Sequence, residues 1–151
     1  MRRRRGVRRA DGDRGNALVE FSWLAILLMV PLVYLVLTVF EVQRAAYAVT
    51  AASREAGRAY VTTTSGDPEA RAVAAARLVG RDQGVELTAA DVRVSCAQRP
   101  CLQPGGSVRV RVDTQVGLPF LPDVLFGQVP ASVAVHARHV EVVDAYRDAP
   151  P

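Results

Sequence analysis

Few residues in this chain are equipped for chemistry, and their spacing narrows what that chemistry is. His136 and His139 lie three apart. On a helix they could share a metal, but their segment reads as a strand, where odd spacing sends them to opposite faces. Cys96 and Cys101 form a C-x-x-x-x-C pair around Gln98-Arg99-Pro100. That is not the C-x-x-C of thiol oxidoreductases, and two cysteines cannot make a four-cysteine zinc site. All 19 basic residues are arginine, which removes a P-loop phosphate site, a Schiff-base enzyme and a lysine general base. G-x-S-x-G, G-x-G-x-x-G and H-E-x-x-H do not occur. Neither a catalytic residue nor a metal nor a cofactor is expected, and a membrane-anchored enzyme has no residues to nominate. One carboxylate stands in an expensive place. Glu20 opens a run of twenty residues, 21–40, that carries no charge.

That run must position everything else. At helical rise twenty residues span about 30 Å, the hydrocarbon thickness of a bilayer. No polar face interrupts it, which argues against a buried core helix. Charge is equally local. Residues 2–14 hold seven arginines against Asp11 and Asp13, whereas residues 15–151 hold twelve arginines against thirteen acids. A basic stripe over a folded surface would suggest nucleic acid. A basic block abutting an apolar run instead marks the cytoplasmic side of a membrane span, so no nucleic acid is expected and the C-terminal hundred or so residues face outward.

Beyond Phe40, Val42, Ala45, Ala46, Val49, Ala52 and Ala56 recur at three- and four-residue spacing, so the helix is expected to continue to about residue 61 with one apolar stripe. It begins near residue 17. Asp67-Pro68-Glu69 is a cap, a first-turn proline and an early acid, predicting a second helix over about 68–82 with Gly84 near its end. The period then changes to two. Residues 92–96 and 108–113 alternate, and 132–143 form a third apolar-rich segment whose phase slips between Val133/Val135 and Val140/Val142, predicting a bulge or two-sided burial. Three antiparallel strands follow, with a turn at Pro104-Gly105-Gly106 and a Pro/Gly-rich loop over 117–130. The predicted fold is α+β: a cytoplasmic leader over 1–15, a long helix over 16–61 with its membrane part at 21–40, an extracytoplasmic domain over 62–147, and a frayed tail at 148–151. A domain of about 85 residues has a marginal core. In an oxidising compartment Cys96 and Cys101 are expected to form a structural disulfide; the alternative is two reduced thiols.

Arg93, Arg109, Arg111 and Arg138 are placed on the outer face of the sheet, where they could meet an anionic polysaccharide or another subunit. Nearby acids favour solvated arginines alternating with core valines. Pro31 falls mid-span and removes the hydrogen bond to the Leu27 carbonyl, so a kink is expected.

A carboxylate at the centre of a membrane helix costs about 2.5–3.5 kcal/mol on insertion scales, and less near an end. Glu20 could simply sit among headgroups as a first-turn acid. A sharper reading starts from Gly15. If the chain is cut after it, Asn16 becomes the first residue, and its α-amine shares a helix face with Glu20 at i, i+4. In a bundle of such helices the glutamate of one subunit meets the amine of its neighbour, and one ion pair fixes the register.

Arg14-Gly15-Asn16-Ala17-Leu18-Val19-Glu20-Phe21 resembles the R-G-x-A-x-V-E-F junction of TadE-like pseudopilins, members of the type IV pilin superfamily found in tight-adherence (Flp-type) pilus systems. Arg54-Glu55-Ala56-Gly57-Arg58-Ala59 resembles the A-x-R-E-A-A-R-A region late in that family's first helix, with Gly57 in place of the commoner alanine. The resemblance covers about residues 14–60. It implies a cut between Gly15 and Asn16 by a membrane aspartyl prepilin peptidase, retention in membrane lipid, and a minor or priming role beside pilin and pseudopilin subunits on an inner-membrane assembly platform. Two other layouts compete. One is a bitopic anchor that displays a small extracellular binding domain and keeps its N-terminus. The other is a secreted protein cut near Ala46-Tyr47-Ala48, for which the apolar run is too long and Glu41 and Arg44 intervene.

Overall fold

A computed structural model describes residues 13–117 and 132–147, with side chains from residue 17 onward. The leader as far as residue 12, most of the expected 117–130 loop and the tail at 148–151 lie outside the described residues. The element order is α1 (Asp13–Val61), α2 (Pro68–Asp82), a 3-10 turn (Ala89–Asp91), β1 (Val92–Cys96), β2 (Ser107–Gly117) and β3 (Ser132–Val142). The chain divides into two compact units, residues 1–37 and 38–151.

In the first unit α1 carries apolar residues around its whole circumference. Phe21, Trp23, Leu24, Leu27 and Leu28 are all more than 60% exposed, which no water-facing helix sustains at such density. The helix is long and apolar enough to cross a membrane. It is helical from Asp13, the first described residue, upstream of the expected start near residue 17, and continues through Pro31, whose nitrogen cannot donate to the Leu27 carbonyl.

In the second unit α1 changes character. Ala45, Ala48, Val49, Ala52, Ala56 and Tyr60 are buried, one stripe at helical spacing whose small side chains let the helix backbone approach the sheet. Val108, Val110 and Val112 of β2 meet that stripe from the sheet, and Ala72 and Ala76 of α2 complete the cluster with Leu87, Val92 and Val143. α2 starts as its sequence requires: the Asp67 carboxylate accepts from the Glu69 backbone N–H at 2.9 Å, and Pro68 occupies the first turn, where its missing N–H costs nothing.

The sheet has strand order β1-β2-β3, all antiparallel. β2 is longer than the alternation predicts, reaching Gly117. β3 corrects an expectation. Its register against β2 is unbroken from Ser107↔Val142 to Gly117↔Ser132, so it holds no bulge. Two-sided burial fails as well, because Val140 and Val142 are 50% and 64% exposed. The inward positions at that end belong to His139 and Glu141. Pairing with β2, rather than hydropathy, sets the phase.

Cys96 and Cys101 are joined, with Cα atoms 5.3 Å apart. The bridge ends β1 and closes the short return toward β2. Closing so small a loop restricts the unfolded chain by about 2 kcal/mol in the chain-entropy account. Cys96→Ser with Cys101→Ser is therefore expected to lower the thermal midpoint of the outer domain by about 10 °C, followed by circular dichroism. A midpoint indifferent to reductant and to the double substitution would contradict this.

Candidate functional site

Gly15 and Asn16 lie in the opening turns of α1. Glu20 follows within the described side chains and is exposed. From Asn16 to Glu20 is four residues, about one helical turn and 6 Å of rise, so the two positions share a face. Ser22, just beyond, folds its hydroxyl back to donate to the Leu18 carbonyl at 2.8 Å, which satisfies that polar group inside the helix. Among the described residues Glu20 has no ionic partner within the chain. A carboxylate at the mouth of an apolar helix, one turn from a peptide bond preceded by glycine, is the arrangement to be explained.

At the other end of the apolar run, Glu41 and Arg44 form an ion pair of 2.7 Å at i, i+3. Both side chains are about half exposed. They border an open cavity of about 230 Å³ with Gly84, Glu86 and Thr114. Mixed charges and solvent exposure fit an interfacial end to the apolar segment.

The later motif-like segment separates cleanly by face. Ala56 and Gly57 are buried, whereas Arg54, Glu55 and Arg58 are exposed. Gly57 lies against the sheet: a Cβ there would meet His139 Cδ2 at 3.3 Å and Glu141 Cβ at 3.4 Å. His139 Nε2 is 2.8 Å from Glu141 Oε2, an inward-facing polar pair satisfied by itself and fitted under the glycine. His136 points to the outer face and is exposed, so the two histidines sit on opposite sides of β3. No cluster of three metal-ligating side chains occurs among the described residues.

Two features had no signal in the sequence. The Arg147 guanidinium donates to the carbonyls of Val61 and Thr63, carbonyls at and just beyond the end of α1. It ties the chain after β3 to the end of the first helix across more than eighty residues of sequence. The Tyr60 hydroxyl lies 3.9 Å from Cys96 Sγ, and burial pushes its phenol above the usual range, helped by Glu69 and Asp67.

On the outer face of the sheet, Arg111 Nε lies 2.9 and 3.0 Å from the two Asp113 oxygens. That hydrogen bond holds the Asp113 carboxyl below its ordinary value, against a smaller opposing effect of burial. Arg93 reaches the same carboxylate at 3.8 Å.

No protein-family model matches the chain, and no curated protein or solved structure matches it.

Proposed function

We propose that this chain is a TadE-like pseudopilin, a minor or priming subunit in the assembly of a tight-adherence type IV pilus or a related secretion apparatus. The observation that carries the reading is the position of Glu20. It stands five residues after Gly15, at the entrance of an exposed apolar helix that runs on into the core of a small α+β domain.

The mechanism follows from charge. The arginine-rich leader stays on the cytoplasmic side of the cell membrane, the helix crosses once, and the disulfide-closed domain lies outside. A membrane prepilin peptidase cuts between Gly15 and Asn16. The cut removes the arginines that hold the helix in place and creates an α-amine with a reference pKa of about 7.7–8.0. Before assembly that amine and Glu20 partly neutralise each other on one helix face. On the assembly platform, Glu20 of an incoming subunit pairs with the amine of a neighbouring pilin or pseudopilin, and membrane lipid around the apolar side chains gives way to other helices. The helix packing supplies contact area; the ion pair supplies the axial offset.

A photo-crosslinking residue at Leu28, which is 65% exposed, tests this in the native membrane. The reading predicts adducts with protein subunits of the assembly system. Adducts with lipid alone would reduce the chain to a membrane anchor.

A further inference from the structure

The register of the three strands assembles a charge pattern that does not depend on the assembly reading. Arg93 of β1 is directly opposite Arg111 of β2, and Arg111 is directly opposite Arg138 of β3. Three guanidinium side chains therefore stand in one row across the sheet, at strand spacings of about 4.8 Å. Arg109, two residues from Arg111 along β2, projects from the same face. Like charges placed directly opposite destabilise a sheet. The domain's acids relieve the repulsion only in part, because among the described strand residues Asp113 alone is an acid on this face, and Glu141 points inward beside His139. Asp113 is taken by Arg111 and approached by Arg93. Arg109 and Arg138 have no ionic partner among the described residues, and both are exposed.

Beside Arg109 the face is hollowed. Ser95, Cys96, Ala97, Ser107, Arg109 and Val140 surround a cavity of about 140 Å³, where the Ser95 hydroxyl donates to the Arg109 carbonyl at 3.4 Å. Guanidinium forks match carboxylates bidentately, and Arg111 already grips one in this way. The strand residues of the face include no phenylalanine, tyrosine or tryptophan, and the His136 imidazole is the one aromatic ring among them, so it has no row of platforms on which successive bases would stack.

We propose that the outer face of the sheet is a binding surface for an acidic polysaccharide, with sugar carboxylates on the row of Arg93, Arg111 and Arg138 and a ring seated in the hollow at Arg109. Charge complementarity identifies the partner. The face offers closely spaced arginines with a single competing acid, and hydroxyls where a sugar would lie.

The test uses the full chain in neutral-lipid nanodiscs, with phenylglyoxal labelling of arginines read residue by residue by mass spectrometry. Polygalacturonate oligomers are expected to slow labelling of Arg109 and Arg138 about fivefold or more, while Arg71 and Arg77 on α2 stay within about twofold. Neutral dextran is expected to protect none of them. In D113N, where the competing carboxylate is gone, the same protection is expected at about threefold lower oligomer concentration. R109Q/R138Q, at exposed positions where removing like charge is expected not to lower the thermal midpoint, is expected to abolish protection of Arg93. Equal protection of Arg71 and Arg77, or equal protection of the face by single-stranded DNA, would overturn the proposal. So would the absence of protection at Arg109 and Arg138.

Discussion

Replacing Glu20 with glutamine is expected to leave the protein in the membrane and to abolish its incorporation into assemblies. Glutamine keeps the size and the hydrogen-bonding groups of glutamate and removes only the charge, so helix and span are preserved. Insertion itself becomes slightly easier, since an acid at the mouth of the apolar run is disfavoured in lipid. Assembly loses the partner of the Asn16 amine. An ion pair broken on one side in a low-dielectric contact costs about 3–5 kcal/mol, because the remaining charge is stranded. At 1.4 kcal/mol per factor of ten this is at least about two orders of magnitude in association. Crosslinks from Leu28 to protein subunits should disappear in Glu20→Gln while the membrane-bound amount stays constant. Undiminished crosslinks would show that Glu20 is only a headgroup-level acid.

The largest effect on folding is expected at Gly80, not in the valine core. Gly80 is buried near the end of α2, and the chain turns back over it: the Val85 N–H donates to the Gly80 carbonyl at 2.8 Å. A Cβ at Gly80 would stand 2.7 Å from the Val85 carbonyl oxygen and 3.0 Å from Leu87 Cγ and Cδ1. The nearest obstacle is backbone, which cannot rotate away. Alanine gains about 1 kcal/mol of helix propensity over glycine, and overpacking of this kind costs about 1–3 kcal/mol. Gly80→Val, with two further methyl groups and a β-branch, is expected to destabilise the domain by about 3 kcal/mol, lowering the midpoint by more than about 10 °C. Gly57 provides the contrast. It is equally buried within a helix, but its Cβ would meet the side chains of His139 and Glu141, which can move. Gly57→Ala is expected to stay within about 1 kcal/mol of the parent. Thermal melts of the two variants side by side check the argument, and a Gly80→Val domain as stable as the parent would refute it.

Gly80 also marks what could be read from the sequence. The shift from a spacing of three and four to a spacing of two is local, so α1, α2 and all three strands were legible, as was the start of α2 at Asp67-Pro68. β1 ends at Cys96 as expected because the disulfide partner is only five residues on. The phase of β3 was not legible. Val140 and Val142 look like core residues, but register against Arg109 and Ser107 turns them outward. The outer arginines were individually visible. Their alignment in one row, with Asp113 the one strand acid beside them among the described residues, belongs to the pairing of strands. Gly80 and Arg147 were invisible for a similar reason, since their partners are fixed by how the chain returns. The Gly15–Glu20 arrangement is the opposite case. Its meaning lies in residue types and spacing, and the structure adds the helical placement of both ends and the exposure of the carboxylate.

Removal of the leader is a covalent event, and the N-terminal residue of the protein taken from its native membrane tests it most directly. Intact mass and terminal sequencing should give a chain beginning at Asn16, with the fifteen-residue leader gone and Glu20 at the fifth position. A chain beginning at Met1 or Arg2 would contradict the pseudopilin reading and leave an unprocessed anchor carrying a small disulfide-closed domain. A chain beginning near Val49 would contradict it equally, by making the apolar helix an export signal.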